Sequence, residues 1–169
     1  MTSVRRRALF VLALAFACVA RGEKPPAALK ADKIVVLKSE RKLMLLERGR
    51  VVKTYRISLG GEPVGSKIRQ GDHRTPEGVY VIDRRNAHSQ FHKSLHISYP
   101  NAEDRARARR LGVSPGGDIF VHGLPNGYHW LGPVQHLDDW TDGCIAVTNG
   151  EIDELVRAAP PGTIVVILP

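Results

Sequence analysis

The sequence predicts a mainly β domain, a sandwich or mixed sheet that carries one or two short helices. Three observations lead there. Short runs rich in Val, Ile and Leu follow one another from Lys33 onward, separated by Gly- and Pro-containing turns. Only two stretches carry helix start and stop signals. No internal repeat divides the chain, so a single layered domain is expected.

The elements follow in order. KIVVLK (Lys33 to Lys38), KLMLLER (Lys42 to Arg48) and RVVKTYRISLG (Arg50 to Gly60) read as three strands of an antiparallel meander. GGEPVGSKIRQGDHRTPEG, Gly60 to Gly78, contains five glycines and two prolines and reads as a long surface connection. VYVID and SLHISYP are further strands, and DIFVH runs apolar into His122. NAEDRARARRLG (Asn101 to Gly112) opens on an asparagine cap and acids and closes on arginines and glycine. Its polarity places it on the surface. TNGEIDELVRAAPPG (Thr148 to Gly162) has a capping-box pattern at Thr148 and Glu151, apolar residues at Ile152, Leu155 and Val156, and a Pro-Pro-Gly stop. TIVVIL is the last strand.

The first twenty residues do not belong to this pattern. Arg5, Arg6 and Arg7 precede an apolar run from Ala8 to Ala20, the arrangement of a secretory signal peptide cut after Ala20. The run is short for a membrane span. An uncleaved anchor and a lipoprotein carrying its lipid on Cys18 are the alternatives. Residues 21–32 then form a flexible tether, and residues 33–169 form the domain. This predicts export to the periplasm or cell envelope. Removing the leader lowers the formal charge from +8 to about +5. So mild a surplus, with 6% aromatic residues and no basic stripe, excludes a nucleic-acid-binding function. An anionic envelope polymer fits better, as does an ordinary solvated basic surface.

Only two cysteines are present, and Cys144 alone lies in the domain. A single thiol in an exported protein is either buried and inert or retained because it reacts. Its setting, TDGC, is polar and turn-forming, which favours reactivity. His122 ends one strand, Gly123 to Trp140 forms an irregular loop, and Cys144 opens the strand-like CIAV. A cysteine nucleophile needs a base to take its proton and donors for the developing oxyanion. His122 and the backbone amides around Cys144 supply these types. Gly143, lacking a β-carbon, allows a carbonyl to approach the backbone.

VHG followed by TDGCIAVTN, with GDHRTPEGVYVI far upstream, resembles the L,D-transpeptidase catalytic domain, also called the YkuD domain. The resemblance covers about Lys33 to Pro169 and implies that fold. It also implies Cys144 as nucleophile, His122 as general base and the Gly123 carbonyl as the group orienting the imidazole. The implied substrates are peptidoglycan stem peptides, as donor and acceptor, joined through a thioester without metal or cofactor. Two departures stand out. Asp142 occupies a position where histidine is commoner, and the loop between His122 and Cys144 is longer than usual. A carboxylate there could orient a neighbour or the donor peptide; facing the sulfur it would oppose thiolate formation, so Asp142 is expected to point away. Thr141 and Trp140 are candidate cleft residues beside it.

The spacing of seven between His122, His129 and His136 raises a metal site as a rival. Gly123, Pro125, Gly127, Gly132 and Pro133 prevent the continuous helix on which that spacing would align the rings. His129, Trp130, His136 and Trp140 are assigned to loop packing or cleft wall, and His73 with Arg74 to turn structure. Three functional classes remain: a transpeptidase, a stem-peptide or crosslink hydrolase using the same residues, and a catalytically silent wall-binding domain.

Overall fold

The computed structural model describes residues 29–169. The predicted signal peptide, Cys18 and most of the predicted tether lie outside the described residues. The strands are β1 (Lys33–Leu37), β2 (Lys42–Glu47), β3 (Arg50–Arg56), β4 (Gly78–Ser89), β5 (His92–Ile97), β6 (Ile119–His122), β7 (Ile145–Ala146) and β8 (Ile164–Leu168). Helix α1 (Ala102–Arg110) stands between β5 and β6, and α2 (Asn149–Ala158) between β7 and β8. The strands form one mixed sheet in the order β3-β2-β1-β8-β4-β5-β6-β7.

The predicted meander is present, with Lys33 opposite Leu46 and Leu43 opposite Tyr55. The last strand, β8, then enters the middle of the sheet, parallel to β1 and antiparallel to β4. Alternation explains the pairing: Ile34, Val36, Leu43, Leu45, Val165 and Ile167 are all buried, so these strands send every second side chain to the same core. Within the predicted tether, Leu29 already packs against the core, and Ala31 is buried and donates its N–H to the Ala158 carbonyl at 2.9 Å.

Helix α2 carries the reciprocal cap expected from its sequence: Thr148 Oγ1 accepts from the Glu151 N–H, and Glu151 Oε2 accepts from the Thr148 N–H. Its buried Ile152, Leu155 and Ala158 pack the helix against β5 and β6, the strands that carry the site. Helix α1 is polar and mostly exposed, as expected, but it is pinned by one buried acid. Asp104 accepts from Tyr80 Oη at 3.1 Å, Arg107 Nη2 at 2.6 Å and the Asn101 N–H at 3.0 Å. A buried charge is tolerated only with such partners.

The segment between β3 and β4 differs from the expected surface connection. Lys67 and Thr75 are buried within the predicted connection, and Ile57 and Leu59, expected in the third strand, are buried just beyond its end at Arg56. Bridges from Ser58 to Ala146 and from Gly60 to Thr141 bind its first part to the strip that holds Cys144. Lys38 Nζ, also buried, donates to the Gly65 carbonyl, the Thr75 carbonyl and Glu77 Oε1. Turn-rich composition correctly signalled irregular backbone, but this long loop is folded inward as a wall. The stretch from Gly123 to Trp140 is likewise irregular, with a 3-10 segment at His129–Leu137 that breaks at Gly132, where φ is +45°.

Candidate active site

Two short strands bring the predicted cysteine and histidine together. β6 and β7 run parallel, with Val121 opposite Ile145 and His122 opposite Ala146. Side chains alternate across a strand, so Cys144, one residue before the ladder, projects to the same face as Phe120 and His122. The Phe120 N–H donates to Cys144 Sγ at 3.4 Å. His122 donates Nδ1–H to the carbonyl of Gly123 at 2.7 Å. A carbonyl only accepts, so this bond fixes the tautomer and leaves Nε2 with its lone pair in the neutral ring. The imidazole is buried against Phe91, with ring centres 4.4 Å apart, and meets Trp140 edge-on at 5.8 Å.

His122 and Cys144 line one cavity of about 390 Å³, together with Phe91, Phe120, Trp140 and Thr141. A second cavity of about 340 Å³ lies on the other side of Cys144, walled by Lys67, His73, Gly117 and Ile119. Cys144, Asp118 and Asp142 line both. The thiol therefore sits where two recesses meet.

Burial sets the protonation of the pair. It pushes the Cys144 thiol above its ordinary value; the Phe120 N–H partly offsets this, and the Asp142 charge adds to the rise. Burial also pushes the His122 imidazole down, against the opposing hydrogen bond to the Gly123 carbonyl. Both shifts favour neutral thiol and neutral imidazole at rest. Such a pair reacts by proton transfer during attack rather than from a standing ion pair.

The turn before Cys144 is tightly fixed. Thr141 Oγ1 donates to the Cys144 carbonyl at 2.7 Å and accepts from the Gly143 N–H at 3.1 Å. The Gly143 amide is thereby occupied, whereas the amide of Cys144 itself has no hydrogen-bond partner among the described residues. Gly143 is required for its conformation. Its φ is +125°, and an added Cβ would lie 2.5 Å from the Arg74 carbonyl oxygen. Gly143→Ala is expected to lower the melting temperature and to slow covalent capture at Cys144 by displacing the turn. Thermal unfolding and the rate of thiol acylation check this; an unchanged acylation rate would show that the turn does not set the position of the sulfur.

Asp142 is paired with His73. Its carboxylate is 93% exposed and meets His73 Nδ1 at 2.8 Å across the rim of the second cavity. His73, which the sequence placed in turn structure, is thus both a turn residue with φ +51° and part of the cavity wall. Phe91 and Lys67 were not singled out by the sequence. Lys67 is buried in an ion pair with Asp72 at 2.8 Å, a contact between residues five apart in a loop with no periodicity to reveal it. His122, His129 and His136 are not gathered. His129 is exposed, and His136 Nε2 lies 3.8 Å from Glu151. Trp130 is 70% exposed and lies against Tyr128 of the same loop rather than in the wall of either cavity at Cys144.

Residues 31–167 match the L,D-transpeptidase catalytic domain. The chain belongs to that family. Its members act on peptidoglycan. Over 130 residues the chain is 33% identical to YafK of Escherichia coli K12, provisionally named as an L,D-transpeptidase, covering 73% of this chain and 45% of that protein. Among solved structures, it resembles the helical cell shape determining protein Pgp2 of Campylobacter jejuni with a TM-score of 0.62 and 25% identity, over 79% of this chain and 46% of that one. Bd1075 of Bdellovibrio bacteriovorus gives 0.58 and 27%, over 80% and 47%. An Enterococcus faecium L,D-transpeptidase, 13% identical with a TM-score of 0.53 over 83% of this chain and 50% of that one, shares the fold. The chain spans about half the length or less of these relatives.

Proposed function

We propose that this L,D-transpeptidase-family chain is an exported cysteine acyltransferase that remodels peptidoglycan by way of a thioester on Cys144. The observation that carries this is the placement of Cys144 and His122 on one face of two paired strands, in one cavity, with His122 Nδ1 held by the Gly123 carbonyl.

As Sγ attacks the donor carbonyl carbon, His122 Nε2 takes the thiol proton. The carbonyl oxygen gains the negative charge and accepts from the Cys144 amide. Collapse breaks the donor's C–N bond, and the leaving amine receives the proton from His122. The thioester is then attacked by an acceptor amine, whose proton passes to His122 and back to the departing sulfur. The two recesses meeting at Cys144 suit a reaction with two substrates, the donor on one side and the acceptor on the other.

Water in place of the amine would make the same site a hydrolase. A defined tetrapeptide donor, incubated with and without an added amine, separates the two: an amide product that appears with the amine supports transfer, whereas release of the free acid alone in both overturns it in favour of hydrolysis. The resemblance to a cell shape determining protein of Campylobacter jejuni favours a role for the product in cell shape.

The export part of the proposal has its own test. Intact mass of the protein from the envelope fraction is expected to lack Met1 to about Ala20. A full-length chain in the cytoplasm overturns export and the wall substrate together, and a diacylglyceryl adduct on Cys18 replaces cleavage after Ala20 with lipoprotein processing.

A further inference from the structure

The loop that joins the two halves of the site exposes aromatic rings that the acyl-transfer chemistry does not use. Tyr128 is 53% and Trp130 70% exposed, with ring centres 6.5 Å apart and planes inclined by only 33°. Amphipathic rings gathered at an exposed surface are suited to contact. The loop that carries them is anchored on both sides. Asn126 is clamped to the rim of the larger cavity: its N–H donates to the Gln90 carbonyl at 2.9 Å, its Nδ2 to the Ser89 carbonyl at 3.1 Å, and its Oδ1 accepts from the His92 N–H at 3.0 Å. Ser89 and Gln90 line that cavity. Beyond the rings, the loop is held from below by Ser58 Oγ, which donates to the Gln135 carbonyl at 2.8 Å. Two residues of chain span at most about 7 Å, so the Tyr128 backbone lies within that reach of Asn126, which is bonded to the cavity rim, and Trp130 within two residues more.

We infer that Tyr128 and Trp130 form a saccharide subsite, which takes the sugar to which a stem peptide is attached while the peptide enters the Cys144 cavity. The inference rests on the stem-peptide reading above. The rings offer flat apolar faces with polar tips, set between the exposed Asn126, Gly127 and His129, and a sugar offers a C–H face ringed by hydroxyls. The surface is continuous with the candidate site, and the substrate of this family carries sugars at the end of the stem peptide opposite its reacting carbonyl. An anionic lipid surface fits poorly. From Ile119 to Asn149 there is no Lys or Arg, while Asp138, Asp139 and Asp142 are present, and such surfaces recruit basic segments.

The test uses the Cys144→Ser protein, so that binding is read without turnover. Calorimetric titration compares a free tetrapeptide with the same tetrapeptide bearing its disaccharide. The disaccharide ligand is expected to bind about tenfold tighter or more, and the added change Tyr128→Ala with Trp130→Ala to erase that advantage while leaving free-tetrapeptide affinity and melting temperature unchanged. Equal affinity for both ligands, or a preference that survives the double change, overturns the subsite. So does a dimer seen by sedimentation, or binding to phosphatidylglycerol vesicles, if the double change abolishes it. Failure of the parent protein to acylate Cys144 while the sugar preference persists would instead overturn the acyl-transfer reading and keep the subsite.

Discussion

Cys144→Ser is expected to leave a folded protein that captures no donor, with turnover lower by about 10⁴-fold or more, the scale on which loss of a nucleophile acts at acyl-transfer sites. Oxygen for sulfur changes little in volume, and Phe120 N–H can donate to either atom, so the fold has no reason to fail. The chemistry does. Burial already disfavours ionisation of the thiol, and a serine hydroxyl in the same place, far less acidic, depends entirely on a base whose own basicity burial has lowered. Intact-protein mass spectrometry after brief exposure to a tetrapeptide donor is the measurement. A donor-sized adduct on the parent, absent from Cys144→Ser, is the expected result. Family resemblance adds a carbapenem as a second acylating probe for the same sulfur. A parent protein unmodified by donor and carbapenem, and closed to an alkylating reagent while folded, would make Cys144 a structural residue and the domain a wall-binding module.

The parts of this site differ in how far the sequence exposed them. Local chemistry was legible: Thr148 and Glu151 announced the cap of α2, and a lone cysteine after glycine pointed to a functional turn. The meander was legible because its strands are adjacent in sequence and alternate in burial. What no local pattern could supply was the partner of a distant segment. β8 pairs with β1 across the length of the domain, and the loop from Gly60 to Gly78 is held inward by distant partners, among them Lys38, 27 residues before Gly65, which reaches its carbonyl, and Thr141, which bridges Gly60. The same holds for His73 and Asp142. Each is polar and exposed, with nothing in its neighbours to suggest that 69 positions away lies its hydrogen-bond partner. Phe91 was hidden for the opposite reason, being an ordinary apolar residue at a hairpin whose value comes from its tilted packing against His122.

His122→Ala is expected to lower turnover about 10²- to 10⁴-fold, the usual contribution of a general base, and to change the pH profile in a way a merely structural loss would not. In the parent, the imidazole must be neutral to accept the thiol proton. Because burial lowers its pKa below the ordinary histidine value, it stays neutral further into the acid range, so the acid limb of kcat/KM should fall below about pH 6.5. In His122→Ala that limb should vanish. Residual activity should instead climb with alkaline pH, as the Cys144 thiol, raised above its usual value by burial, begins to ionise without help. His129→Ala should cost far less, since that ring is exposed. His136→Ala should cost little turnover, since its ring faces Glu151 at the start of α2 rather than the thiol. Equal losses at all three histidines, with zinc raising the activity of the parent, would overturn the base assignment in favour of a metal centre. An unchanged acid limb in His122→Ala would overturn it too, because some other group would then be carrying the proton.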